Sequence, residues 1–141
     1  RLHPINPAVH YALYQKGMCY FSKIRNVDRD QAPTRRARDE FERLLQRYPD
    51  SDYSFRARRK LRECYAYLAG QELFIADFYL KKKQYRAAME RYRYLLENYP
   101  DFGQYHRAIE NLNIAIRHLE AIGDEETDAR PSWWRRIIPM D

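Results

Sequence analysis

Apolar positions recur along this chain at spacings of three and four, the pattern of helices that bury one face. Asn6-Pro7 opens the first helix, with Asn as the cap and Pro at the first helical position. This helix is expected to run to about Asn26, with Val9, Leu13, Gly17, Tyr20 and Ile24 turned inward. Gly17 costs helix stability, so it is expected to permit the close approach of a neighbouring helix. A polar loop follows over residues 26–34. Thr34 is read as the cap of the second helix, which runs to Tyr48 on the stripe Ala37, Phe41, Leu44, Leu45 and Tyr48. Pro49 stops it, and Asp50 or Ser51 caps the third.

The third helix is expected to be long, from about Asp52 to about Lys82, because no proline interrupts it. Ala57, Leu61, Cys64, Leu68, Ile75 and Tyr79 keep one face, and Tyr67, Phe74 and Phe78 form a second row about 100° round. Two apolar rows predict a helix buried on two sides; an exposed aromatic docking strip is the sharper alternative. The fourth helix spans Tyr85 to Asn98, with Tyr85, Ala88, Tyr92, Leu95, Leu96 and Tyr99 inward. The fifth runs from about Gln104 to Ile122, on Ala108, Ile109, Leu112, Ala115, Ile116, Leu119 and Ile122, with Gly123 as its C-cap. The reading is therefore all-α: five helices, one of them long and central, over residues 1–123. A tail over residues 124–141 begins acidic, and its first half is expected to be disordered. Trp133 and Trp134 would cap the last helix, or else reach a partner or a lipid interface.

An internal echo classifies these helices. Ala37, Phe41, Leu44, Leu45, Tyr48, Pro49 and Asp50 return 51 residues later as Ala88, Tyr92, Leu95, Leu96, Tyr99, Pro100 and Asp101, each position keeping its size and polarity. A small residue, an aromatic four later and a closing Pro mark the second helix of a tetratricopeptide repeat. The standard period is about 34 residues, so the longer spacing here lengthens the third helix at its start. Helix-pair arrays of this kind form extended binding surfaces.

Composition narrows the partner class. The net charge is +6, from 20 Arg and 6 Lys against 20 acidic residues, and there are 13 Tyr. Arg with Tyr suits a protein–protein surface, where both are enriched at hot spots, though the same pair also suits RNA. Cys19 and Cys64 lack metal-ligand spacing and read as two small buried hydrophobes, or as a disulfide in an oxidising compartment. No apolar run approaches the roughly 20 residues of a membrane helix. Arg1-Leu2-His3-Pro4 has the look of an internal start, which predicts a piece of a longer protein. His3, His10, His106 and His118 sit in no ligand or catalytic motif, and there is no phosphate loop or nucleophile elbow. No enzyme activity, metal or cofactor is expected.

The outward faces of the two echoed helices differ. The first carries Arg36, Glu40 and Arg43, an ordinary charged surface; the second carries Ala87, Arg91 and Tyr94. Arg91 and Tyr94, three apart, lie side by side on a helix, a pairing of hot-spot composition. Lys81, Lys82, Lys83, Arg86 and Arg93 surround them with positive charge that would steer an acidic partner. The bland alternative is a solvated basic face with a stray Tyr. A second basic run, Arg56 to Arg62, reads as solvated surface.

Several segments resemble the BamD family, also called ComL or YfiO. They are Tyr11-Ala12-Leu13-Tyr14-x-x-Gly17, Asp28-Arg29-Asp30-Gln31, and Phe41 through Tyr48-Pro49-x-Ser51. Leu68-Ala69-x-x-Glu72, and Tyr79-Leu80-Lys81 through Tyr85, Ala88 and Arg91 to Tyr99-Pro100, extend the match over about residues 3–122. The Asp-Arg-Asp-Gln loop is the most specific element, since a generic repeat has no reason to carry it. The resemblance implies a periplasmic scaffold of the β-barrel outer-membrane assembly machine, held to the membrane by a lipid on an N-terminal cysteine. It implies that the later repeats bind the POTRA region of the BamA barrel, beside other assembly-machine lipoproteins. No lipobox cysteine or early repeat is present, so the chain reads as the C-terminal part of such a protein. Phe102 replaces the small polar residue common after Tyr-Pro-Asp, which leaves the path into the fifth helix open. On this reading Arg91, Tyr94, Arg86, Lys82, Ala87 and Arg93 form the partner-binding set. A helical-repeat nucleic-acid binder or a generic protein-binding module is the alternative. Nucleic acid is not expected, because the outward positions of the two repeats do not recur as base-reading positions would.

Overall fold

The computed structural model describes residues 6–122, which form five α-helices and no strand. They are α1 (Pro7–Phe21), α2 (Ala32–Arg47), α3 (Asp52–Lys81), α4 (Tyr85–Asn98) and α5 (Tyr105–Ala121). The arrangement is all-helical and tetratricopeptide-like, with the long helix in third place. The chain divides into two compact units, the first ending at Leu68 and the second beginning at Ala69. Among the described residues no helix is long and apolar enough to cross a membrane. The tail with Trp133 and Trp134, and Gly123 as a cap, lie outside the described residues.

In the first unit α1 packs on α2, and Tyr14, Ala37, Phe41, Leu44, Ala57 and Cys64 form the core. Asn6 caps α1 as its position predicts, its side chain accepting from the Ala8 N–H at 2.9 Å. Gly17 is buried against the Phe41 ring, where an added Cβ would come within 2.5 Å of an aromatic carbon. The glycine therefore permits close approach, as expected. Of the predicted stripe, Leu13, Tyr20 and Ile24 pack against this core beside Gly17, and only Val9 does not. Tyr14 and Gly17 are buried, whereas Val9 is exposed. At 100° per residue Val9 lies about 110° from the mean direction of those two. The helix also ends at Phe21 rather than near Asn26. The Ser22 hydroxyl donates to the Cys19 carbonyl, and the Lys23 and Ile24 N–H groups bond three residues back, which tightens the chain into a turn.

Thr34 is not the cap of α2. The helix starts two residues earlier, and Asp30 accepts from the Ala32 N–H at 3.0 Å. Thr34 instead donates to the Gln31 side-chain oxygen. Gln31 is fully buried, and its amide donates to the carbonyls of Asn26 at 2.9 Å and Arg29 at 3.2 Å. Asp28 to Gln31 is thus a loop staple: the buried Gln31 amide ties carbonyls of the turn together, adding to the Arg29 N–H bond that Asn26 already accepts. Glu40 is another departure. It is buried rather than part of a solvated face, held by Arg43 at 2.9 Å and Lys16 at 3.3 Å.

Cys19 is exposed and Cys64 is buried, both as free thiols, so only Cys64 behaves as a small core hydrophobe. Burial pushes the Cys64 thiol up to about 12. A thiolate-directed reagent applied to the native protein is expected to modify Cys19 and spare Cys64 until the protein is unfolded. Equal labelling rates in native buffer, read by mass spectrometry, would contradict this packing.

In the second unit α4 packs on α5. Ala69, Ala76, Ala88, Met89, Tyr92, Leu95, Leu96, Ala108, Leu112, Ala115 and Ile116 are buried together. α4 keeps its predicted bounds, while α5 stops at Ala121, leaving Ile122 in the following turn and 69% exposed. Phe102 packs against this core, and the path into α5 is set by Gln104. The Gln104 amide donates to the Pro100 carbonyl and its oxygen accepts from the Phe102 N–H. Gln31 and Gln104 do the same job at the entrance of α2 and α5. A second echo joins the Tyr-Pro turns. Ser54 donates to the Tyr48 carbonyl, and Tyr105, 51 residues on, donates to the Tyr99 carbonyl. The second row on α3 is not buried: Tyr67, Phe74 and Phe78 are each more than a third exposed.

Candidate protein-binding surface

The rotation of α4 determines which of its side chains meet solvent. Ala88, Tyr92, Leu95 and Leu96 take the buried face. Tyr92 is locked there by its hydroxyl, which donates to Asp77 on α3. Asp77 also accepts from Asn111 at 2.9 Å and pairs with Arg107 at 2.7 Å, both on α5. Desolvation, with Asp77 alongside, pushes the Tyr92 hydroxyl far above the usual tyrosine range, so it remains a donor.

With that face fixed, Ala87, Glu90, Arg91 and Tyr94 line an open groove of about 390 Å³ together with Tyr79 of α3. Of the six predicted residues, the structure brings three together: Ala87, Arg91 and Tyr94. Tyr94 is 47% exposed, and its ring meets Tyr99 edge-on at 6.2 Å between centroids. Arg93 stands elsewhere, 200° round from Arg91 at 100° per residue, and pairs with Glu90 and Glu97 at 3.4 Å each. Arg86 is exposed on α4 outside the groove. Lys82 lies in the α3–α4 turn, its ammonium 5.7 Å from the Phe78 ring centre.

The sequence reading missed Glu72, Tyr79 and Glu90. Glu72, largely buried, takes Nη1 of Arg91 at 3.1 Å. It stands 19 residues earlier on another helix, beyond any local spacing rule. Glu90 was legible in principle, since it precedes Tyr94 by one helical turn. The groove thus offers two tyrosine rings, a methyl floor and an arginine already oriented by an internal carboxylate. It provides apolar contact and charge-assisted hydrogen bonding, the makings of a recognition surface. Among the described residues no group of His, Cys, Asp or Glu could hold a metal ion.

Comparison with known proteins places the chain. Residues 1–130 match the YfiO family, described as an outer membrane lipoprotein. The chain belongs to this family. Among curated relatives it is 41% identical to the outer membrane protein assembly factor BamD of Caulobacter vibrioides, over 98 residues covering 70% of this chain and 32% of that protein. It is 37% identical to BamD of Rickettsia prowazekii, over 98 residues covering 70% of this chain and 39% of that protein. It is 33% identical to BamD of Vibrio cholerae over 150 aligned positions, covering 99% of this chain and 61% of that protein. The chain therefore spans between about a third and about three-fifths of the length of these relatives. Within the family frame, the Asp28–Gln31 loop that carried the resemblance is a structural staple, and the groove on α4 is the candidate for function.

Proposed function

We propose that this chain is a non-catalytic binding segment of an outer-membrane protein assembly factor, and that the α4 groove docks the POTRA region of the BamA barrel. The observation that supports it is the convergence of Tyr79, Ala87, Arg91 and Tyr94 on one open groove in a member of this family. Tyr94 supplies the area buried on docking. Arg91 spends Nη1 on Glu72, and a guanidinium carries five donors, so its remaining N–H groups serve a partner carboxylate. Lys82 and Arg86 contribute attraction from the rim. The longer protein would sit at the periplasmic face of the outer membrane, attached through its lipid and beside the other lipoproteins of the machine.

Calorimetric titration with the membrane-proximal POTRA domain at physiological salt tests this. Saturable binding is expected at micromolar affinity or tighter. Tyr94→Ala is expected to weaken it roughly 30-fold, the size of a typical hot spot of about 2 kcal/mol. Arg91→Glu is expected to weaken it several-fold to a hundred-fold, with Glu72→Gln as the control for the lost internal pair. Unchanged affinity in both groove variants, with helicity intact, would remove the groove from the interface. Salt-sensitive RNA binding in place of POTRA binding would favour the nucleic-acid reading.

A further inference from the structure

The basic run from Arg56 to Arg62 is not spread evenly around α3. Ala57, Cys64 and Leu68 are buried, and at 100° per residue their mean direction lies about 200° round from Phe55. Phe55 therefore points almost straight away from the core of the first unit. Its exposure, 66%, exceeds that of Val9, Tyr11 and Tyr67 in the same unit. Arg58 and Arg62 stand about 60° and 20° to one side of it, and Arg59 about 40° to the other; all three are exposed. No carboxylate falls inside that arc. Asp52 and Glu63 border it on the Arg59 side, at about 60° and 80°. Asp52 sits in the first turn of α3, where negative charge suits the helix dipole, and Glu63 pairs with Lys60 at 3.6 Å.

Neutral groups, not carboxylates, orient the arginines on either flank. Arg58 donates from Nη2 to the Pro49 carbonyl at 2.9 Å. The Arg56 guanidinium lies 6.0 Å from the centre of the Tyr53 ring. Tyr53 in turn packs against Tyr11 and Tyr14, with ring centres 5.3 and 5.6 Å apart. Among the described residues, Arg56, Arg58 and Arg59 have no carboxylate within ion-pair distance. Their charge is held in place and left uncompensated. The wider charge distribution agrees: residues 6–68 carry 14 Lys and Arg against 8 Asp and Glu, whereas residues 69–122 carry 8 against 7. An aromatic wedge flanked by ordered arginines matches a surface that is anionic outside and apolar just beneath.

We propose that this ridge rests on an anionic phospholipid bilayer, with Phe55 entering the boundary between headgroups and acyl chains and Arg58, Arg59 and Arg62 on the phosphates. A guanidinium is planar and pairs bidentately with phosphate. A ring at that depth buries apolar area while the cations beside it stay among the headgroups. Arg56 borders the ridge and adds attraction, which decays over about 8 Å at physiological salt. The family supplies the occupant. Its description as an outer membrane lipoprotein brings a bilayer within reach, and a tether presents headgroups to a weak face at high effective concentration. The inference rests on family membership and uses no residue of the α4 groove.

Co-sedimentation of the full 141-residue chain with lipid vesicles tests this. Binding to vesicles of phosphatidylcholine mixed with phosphatidylglycerol is expected to be at least about ten-fold tighter than to phosphatidylcholine alone, and to weaken as salt rises. Arg59→Glu is expected to weaken it by at least about five-fold. Arg117→Glu, at an exposed position on α5, makes the same change in net charge and is expected to cost less than about two-fold. Phe55→Ser is expected to cost about ten-fold, because it removes apolar insertion without changing charge. All three positions are exposed, so far-UV circular dichroism should show the helices intact. Equal binding to both kinds of vesicle would overturn the proposal. Equal losses from Arg59→Glu and Arg117→Glu would reduce it to attraction by net charge and overturn it too, as would a Phe55→Ser variant that binds like the unaltered chain. Capture of RNA or of an acidic protein through Phe55 and Arg59, with vesicles left unbound, would give the ridge a different occupant and refute the bilayer.

Discussion

Asp77→Ala is expected to lower the unfolding free energy by about 2–5 kcal/mol. The carboxylate is nearly buried and holds Tyr92 of α4, and Asn111 and Arg107 of α5. Its removal orphans the Tyr92 hydroxyl and the Asn111 amide, and an unmade buried hydrogen bond costs about 1–3 kcal/mol. Arg107 adds little to that sum because its side chain is mostly exposed and regains water. Asp77→Asn keeps an acceptor for Tyr92 and is expected to cost about half as much. Urea unfolding followed by circular dichroism measures both. A loss below about 1 kcal/mol for Asp77→Ala would show that the cluster does not hold the three helices in register. If the proposed docking on the α4 groove is right, the same variant should weaken it, because Tyr92 sets the rotation that presents Ala87, Arg91 and Tyr94.

Phe41→Ala is expected to cost about 3–5 kcal/mol, the range for deleting a fully buried ring. Its companion at Gly17 makes the test specific. Gly17→Ala gains up to about 1 kcal/mol in helix propensity, yet its Cβ would lie 2.5–2.9 Å from three atoms of the Phe41 ring. Overpacking of this kind costs about 1–3 kcal/mol, so the net effect is expected to be destabilising. In the Phe41→Ala background the clash is gone, and Gly17→Ala should become neutral or stabilising. The double-mutant cycle then shows a coupling of about 1–3 kcal/mol. Additive effects would mean that the two helices do not meet through this pair.

The two networks differ in how far they could be read in advance. A glycine within a helical stripe announces a close approach without naming its neighbour, and the neighbour proved to be the aromatic of the echoed motif. Asp77, Tyr92, Arg107 and Asn111 announce nothing, since they lie on three helices and match no local spacing. The same holds for Arg91 and Glu72. The partner-binding set was legible to the extent that Ala87, Arg91 and Tyr94 fall on one face of one helix. Lys82, Arg86 and Arg93 were grouped with them by charge and nearness in sequence, which does not order side chains around a helix axis.

By itself, then, the amino-acid sequence determined the five helices, the proline stops after α2 and α4, the repeat echo and the family. These follow from local periodicity and capping, which act over a few residues. Tertiary structure alone decided that Tyr14 joins the inward side of α1 while Val9 is left exposed. It also decided that Glu40 is held by Lys16 and that the aromatic row on α3 is left half-open. Each of these depends on the angle at which one packed helix meets another. That angle is settled by close packing between residues distant in the chain.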